Sequence, residues 1–325
     1  MPIDPATGPL LGDLGEGEIL RAILARLPEG AHTLLGPGDD AAVVAAPAGS
    51  VVATTDTLVD GPDFRLAWSG GYDLGWKAAA VNLADIAAMG ARPTALLVAL
   101  ALPQDLPLSF VEQLADGFRE ACEALAPGCA VVGGDLTASA VLTVAVTALG
   151  NLTGPPVTRG GARAGDVVAV AGELGLAARG LDVLFARFCE EGVAMPIVPA
   201  ALGEGERAAV AAQLRPHPPV GLGPIAARAG ATAMMDVSDG LALDARRLAD
   251  ASGVTLAFDA AALGDDPERA LRGGEDHALL ATFPGDKLPP GFRPIGRVHE
   301  RGAEALLCDG EPVTATGWDP YRDWS

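Results

Sequence analysis

Thr232-Ala233-Met234-Met235-Asp236-Val237-Ser238-Asp239-Gly240-Leu241 is the stretch on which the fold turns. Its apolar start predicts a buried strand over 232–235, and the helical spacing after Gly240, carried to about Ala251 and closed by Gly253, predicts a helix. A strand that runs into acids and then a helix suits an open α/β sheet, which places ligands at the carboxyl ends of its strands. The device recurs upstream. Val51 to Thr54 reads as a strand entering Thr55-Asp56-Thr57, and Ala130 to Val132 as one closing on Gly133-Gly134-Asp135. Gly36-Pro37-Gly38-Asp39-Asp40 and Gly273-Gly274-Glu275-Asp276 repeat the glycine-then-acid pattern on loops.

Between these points helices and strands alternate. Gly17 to Leu27 carries apolar residues at helical spacing, and a second helix is predicted from about Asp73 to Met89, ended by Gly90 and Pro93. A strand follows over 94–102. Ser109 and Glu112 make a capping-box pattern for a helix reaching about Leu125, and 141–148 alternates as a strand does. From Asn151 to Gly165 the composition shifts to Gly, Pro, Thr and Arg, which marks an interdomain crossing. We place the division there, giving residues 1–152 and 153–325, in keeping with a 325-residue chain that exceeds the usual span of one core. The second half continues with a strand over 166–171, a helix over 177–190 and a Pro-rich connection through Pro216 to Pro219. No fixed-period repeat is visible, which excludes solenoids and propellers.

Hydrophobic residues make up 50% of the chain and aromatics only 4%, a balance that suits small-residue helices packed on buried sheets. The formal net charge of −20 opposes a polyanionic partner, so nucleic acid is not expected. Cys122, Cys129, Cys189 and Cys308 are scattered, which argues against a zinc ribbon or a disulfide framework. The best apolar run, Ala95 to Leu102, is too short to cross a bilayer, and Met1-Pro2-Ile3-Asp4 lacks the basic start of a signal segment. The expectation is a reduced, cytoplasmic protein with no membrane partner.

The acids carry the chemistry. Carboxylates, hydroxyls and close backbone are the hard oxygen donors that Mg²⁺ prefers, and Mg²⁺ reaches substrate phosphates from one or two carboxylates at a time. An acid-rich turn accounts for any one cluster, while recurrence at strand ends favours cations. Asp85 lies among Ala84, Ile86 and Ala88, where an unpaired charge is expensive. It calls for a cation or for a partner such as Lys77, unless it faces water, and Asn82 at i−3 shares its side of the helix. With only Lys77 and Lys287 and no Walker motif, a P-loop is excluded. Arg159 suits phosphate oxygens through its bidentate guanidinium, and equally suits solvent. Gly172 to Gly180 has the wrong spacing for a dinucleotide motif and reads as a tight strand-to-helix turn, with an anion at the helix start as the lesser option. The run after Gly273 to Asp276 reads alternatively as a turn into an edge strand. Trp318, Tyr321 and Trp324 cover a ring-shaped ligand or seal the core. The four histidines are isolated in sequence and receive no catalytic role, and serine nucleophile chemistry has no support.

Taken in order, Gly36 to Ala42, Thr54 to Val59, Val81 to Ala91, Val132 to Asp135, Asp236 to Leu241 and Gly273 to Asp276 resemble the thiamine-monophosphate kinases of the aminoimidazole-ribonucleotide synthetase superfamily. They span nearly the whole chain. The resemblance implies a two-domain α/β (α+β) fold: an N-terminal ATP/Mg-binding mixed sheet with helices, which pairs across a homodimer, and a C-terminal α/β domain. It implies that ATP and thiamine monophosphate give ADP and thiamine diphosphate with several Mg²⁺ ions. Carried over by position, Asp40, Thr54, Thr55, Asp56, Asp85, Asp135, Asp236 and Asp239 become magnesium ligands. Gly134, Asp135, Arg159 and Ser238 become ATP contacts, and Glu275 with Trp318 or Tyr321 becomes a thiamine contact. Asp63 stands where the family often has a substrate-touching histidine, which leaves that contact open. The alternatives are a selenophosphate synthetase, a purine cyclo-ligase, a hydrogenase-maturation protein and a non-catalytic nucleotide or metal sensor. The first wants a reactive Cys or selenocysteine with a nearby Lys in an N-terminal glycine-rich loop, and the third a terminal cysteine; this chain shows neither.

Overall fold

The structure, a computed structural model, describes residues 8–35, 43–47 and 49–317. Two compact units emerge: one takes the described residues through Leu83 with Pro93–Asn151 and Val183–Arg207, the other Ala84–Arg92, Leu152–Asp182 and the described residues from Ala208 on.

The first unit holds a four-stranded sheet in the order β3-β6-β4-β5, built from β3 (Val52–Val59), β4 (Arg92–Leu102), β5 (Ala130–Ala138) and β6 (Thr143–Asn151). β3 and β6 are antiparallel and β4 and β5 parallel. The helices α1 (Glu16–Leu24), α2 (Gly71–Ala88, in this unit through Leu83) and α3 (Leu108–Leu125) accompany it, with two short hairpins, β1 (Thr33–Leu35) with β2 (Val43–Val44) and β8 (Cys189–Glu190) with β9 (Val193–Ala194). α2 and α3 approach closely because glycine lines their crossing. A Cβ at Gly75 would stand 2.1 Å from the Leu114 carbonyl oxygen, and one at Gly117 2.2 Å from that of Tyr72. Buried Ala78, Ala79, Ala80, Ala84 and Ala87 make α2 the small-residue helix that the composition predicts.

Three expectations shift in this unit. The strand at Thr54 does not end before Asp56, because β-branched Thr54, Thr55 and Thr57 suit extended chain and β6 pairs with all eight residues through Val59. The strand at Val132 likewise continues to Ala138, since β4 pairs with it from Ala130 through Ala138 across one irregularity at Leu96 and Leu97. Asp56 and Asp135 therefore sit inside strands. The Ser109 and Glu112 capping box does not form: α3 begins one residue earlier, with Pro107 at the N-cap and no side-chain cap.

The second unit is built on a seven-stranded sheet, β10-β12-β7-β13-β11-β14-β15, from β7 (Val167–Ala171), β10 (Ala233–Val237), β11 (Val254–Phe258), β12 (Ala278–Phe283), β13 (Arg293–Glu300), β14 (Leu306–Cys308) and β15 (Glu311–Pro312). Its core joins Val168, Val170, Met235, Leu248, Leu256 and Ile295. The helices are α6 (Leu222–Arg228), α7 (Leu241–Ser252) and α8 (Pro267–Arg272), together with parts of α4 (Leu176–Arg187) and α5 (Glu204–Leu214). β12 is not an edge strand, as the turn reading of Gly273 to Asp276 would have it. Its six residues are all buried, between β10 and β7, which its unbroken apolar character allows. Gly253 closes α7 in the left-handed conformation at φ 67°, as its position in the sequence predicts. The composition is thus resolved into a mixed α/β fold. No helix among the described residues is long and apolar enough to cross a membrane.

Candidate functional site

In the second unit two acid-bearing loops interlock. Antiparallel pairing of β10 with β12 sets Asp236 opposite Leu279 and Val237 opposite Ala278, which brings the 236–240 and 273–277 segments together. The Glu275 N–H donates to the Ser238 carbonyl at 2.7 Å, and the His277 N–H to that of Val237 at 3.1 Å. Glu275 and His277 adopt φ of 66° and 53°, a conformation uncommon for non-glycine residues, to make this crossing. Gly274 is required there: a Cβ would stand 2.4 Å from the Ser238 oxygen.

The carboxylates of this loop pair are organised by groups the motifs do not reveal. His277 Nδ1 lies 3.2 Å from Asp236 Oδ2, both side chains being buried. Asp244, fully buried in the first turn of α7, accepts the N–H groups of Ser238 and Asp239 at 3.0 Å each. Arg247 Nη1 bridges Asp239 at 2.7 Å and Asp244 at 2.6 Å. Burial pushes the Asp244 carboxyl up to about 6, with Asp239 and Asp236 adding to the rise. Asp276 accepts from the N–H groups of Gly175 at 2.6 Å and Ala177 at 2.8 Å, so a carboxylate of the protein occupies the anion position at the start of α4. Burial raises its pKa against these bonds.

The first unit carries the other acids. The Thr55 hydroxyl donates to the Val146 carbonyl at 2.9 Å and accepts from the Thr147 hydroxyl at 3.3 Å. The Asp56 N–H, on the open edge of the sheet, donates to Asn82 Oδ1 at 3.1 Å, while Asn82 Nδ2 donates to the Ala78 carbonyl at 3.0 Å. Asp56 pairs with buried Val146, whereas Asp135 pairs with exposed Ala99, so the two carboxylates leave opposite faces of the sheet. The Asp135 side chain is exposed and makes no hydrogen bond or ion pair among the described residues. Gly134 lies so close to β4 that a Cβ would stand 1.9 Å from the Val98 oxygen. Asp63 accepts the Val59 N–H at 2.8 Å and shapes its own loop. Asp85, half-buried in the last turn of α2, falls in the stretch of that helix that belongs to the second unit.

Arg159 is exposed, and its carbonyl accepts the Ser252 hydroxyl at 2.7 Å, which anchors it at the opposite end of α7 from Ser238. Asp40, Trp318 and Tyr321 lie outside the described residues. Among the described residues no three His, Cys, Asp or Glu side chains are grouped to hold a metal ion. Each unit, taken by itself, offers the hard oxygen donors that suit such a cation: the Asp135 carboxylate and the Thr55 hydroxyl in the first, and in the second Asp236 near the end of β10 and Asp239 just beyond it.

A family model, AIR synthase related protein, N-terminal domain, matches residues 38–152. The thiamine-monophosphate kinase of Mycobacterium tuberculosis is 43% identical over 97% of this chain and 94% of its own. The chain belongs to the thiamine-monophosphate kinase family. Solved thiamine-monophosphate kinases share its fold. That of Stenotrophomonas maltophilia K279a superposes with a TM-score of 0.76 at 35% identity, covering 92% of this chain and 98% of that one. AaThiL complexed with AMPPCP and TMP gives a TM-score of 0.73 at 33% identity, covering 95% and 97%. The residues around these loops that motif reading passes over are Asp244, Arg247, His277 and Gln213. Only Asp244, an acid at an otherwise apolar position of α7, left a signal in the sequence.

Proposed function

We propose that this chain transfers the γ-phosphoryl group of ATP to thiamine monophosphate, giving ADP and thiamine diphosphate. The 43% identity to a thiamine-monophosphate kinase over 97% of the chain carries the reading. AaThiL, which holds an ATP analogue together with TMP, supports both reactants. In the transfer, a phosphate oxygen of thiamine monophosphate bonds to the γ-phosphorus as the bond from that phosphorus to the β,γ-bridging oxygen breaks, and ADP departs with the electron pair. The attacking oxygen is already ionised near neutral pH, so no general base is needed.

What remains is to align two polyanions. Mg²⁺, when bound, offsets their repulsion and the charge that develops between them. Asp40, Thr54, Thr55, Asp56, Asp85, Asp135, Asp236 and Asp239 would hold it. Exposed Asp135 is ready to coordinate, whereas Asp239 is tied to Arg247 and Asp236 is held by His277. Gly134, Asp135, Arg159 and Ser238 are assigned to ATP, and Asp63, Glu275, Trp318 and Tyr321 to thiamine monophosphate. We assign residues 1–152 to ATP and magnesium binding and to pairing in a homodimer, and 153–325 to the C-terminal α/β domain, in a cytoplasmic enzyme.

A product assay with a panel of phosphorylated acceptors, with and without Mg²⁺, tests the reading. Thiamine diphosphate should form only from thiamine monophosphate and only with the cation. ATP turnover indifferent to thiamine monophosphate would favour another superfamily activity.

A further inference from the structure

Gln213 stands on α5 and is only 5% exposed. Its Nε2 donates to Glu275 Oε2, and its Oε1 has no hydrogen-bond partner among the described residues. The opposite amide orientation would set Oε1 against a carboxylate, so the observed one is dictated by Glu275. A buried acceptor left unpaired is costly, and a Leu or Met would fill the same space without that cost. The amide is therefore kept for what it does to Glu275.

Packing holds it there. Gly180 on α4 lets α5 approach until a Cβ at 180 would stand 2.1 Å from the Ala209 oxygen and 2.9 Å from Gln213 Cβ. Glu275 is fixed on its other side through its N–H to Ser238 and by the close contact at Gly274. Backbone conformation and side chain are thus constrained by separate elements, which is how a recognition carboxylate is preorganised.

We infer that Gln213 is a specificity-determining positioning residue, which aims the Glu275 carboxylate at the aminopyrimidine ring of the substrate. The inference rests on the kinase reading above and on the assignment of Glu275 to thiamine. The ring carries an exocyclic amino group that donates hydrogen bonds, and a carboxylate held in one rotamer distinguishes it from an oxo group that cannot.

The test compares thiamine monophosphate with its analogue bearing oxo in place of that amine, in wild type, Gln213→Leu, Glu275→Gln and the double variant. Each preparation is scored by its ratio of kcat/KM values for the two substrates, which cancels differences in active fraction. Wild type should favour the amine by about tenfold or more. Gln213→Leu should lose most of that preference, with KM for thiamine monophosphate rising more than KM for ATP, and the double variant should discriminate no worse than Glu275→Gln. If Gln213→Leu does not accumulate, Gln213→Met is scored in the same way. A variant that melts earlier yet keeps the wild-type ratio, or losses that multiply in the double variant, would overturn the inference. Failure of wild type to phosphorylate thiamine monophosphate would instead overturn the kinase reading beneath it.

Discussion

Asn82 Oδ1 accepts the backbone N–H of Asp56 at 3.1 Å, so a helix side chain supplies the partner that the open edge of the four-stranded sheet lacks. Asn82 is 1% exposed and spends its own amide on Ala78, which leaves it one geometry. Asn82→Leu should destabilise the protein by about 1–3 kcal/mol, the cost of a buried N–H left unpaired. Denaturant unfolding measures it. An unchanged midpoint would mean that the edge finds another acceptor.

Asp56 and Asp135 are assigned to magnesium from different strands and opposite faces of that sheet. Asp56→Asn or Asp135→Asn should each lower turnover by orders of magnitude with little change in melting temperature, because each removes a charge and keeps the shape. Asp135 gives the cleaner case, having no partner within the described residues to lose. Near-normal turnover in either variant would remove that residue from the mechanism.

Much of the second unit was legible in sequence. Ser238 and Asp239 follow β10 directly and α7 begins after Gly240, as the change of period requires, whereas Asp236, read as lying beyond the strand, is inside β10 opposite Leu279. In the first unit Asp56 and Asp135 were wrongly read as strand tips. Strand ends are set by pairing partners far along the chain, and Thr-Asp-Thr continues a strand as readily as it ends one. The supporting groups were hidden for the same reason. Nothing near Asp236 in sequence announces His277, 41 residues away, and nothing near Glu275 announces Gln213, 62 residues away.

Asp276 gives a pH signature. Burial raises its folded-state pKa above the ordinary 3.8, so the folded state binds the proton more tightly than the unfolded chain does. The stability this contributes is fully present below 3.8 and is lost as pH rises through the raised value. Asp276→Asn keeps one acceptor for the two N–H groups of Gly175 and Ala177 and should cost about 1 kcal/mol at neutral pH. Thermal melts across this window should show the gap between wild type and variant widening toward acid. A gap that closes as pH falls would contradict the burial argument.

Gly274 tests the interlocked loops. A Cβ 2.4 Å from the Ser238 oxygen cannot be absorbed by a flexible side chain, because the obstacle is backbone. Gly274→Ala should force the 236–240 and 273–277 segments apart and raise KM for ATP or for thiamine monophosphate by about tenfold or more. Steady-state kinetics with each substrate varied in turn would check it, and wild-type values for both would mean that the contact is dispensable.

Whether carboxylates hold divalent ions between the two anionic reactants is probed most directly by the dependence of thiamine diphosphate formation on free Mg²⁺ at saturating MgATP. The rate should keep rising with free Mg²⁺ after all ATP is complexed, and Asp56→Asn and Asp135→Asn should shift that rise to higher concentration. Full-rate transfer in the presence of excess chelator, or a rate that saturates as soon as ATP is complexed in all three proteins, would contradict it.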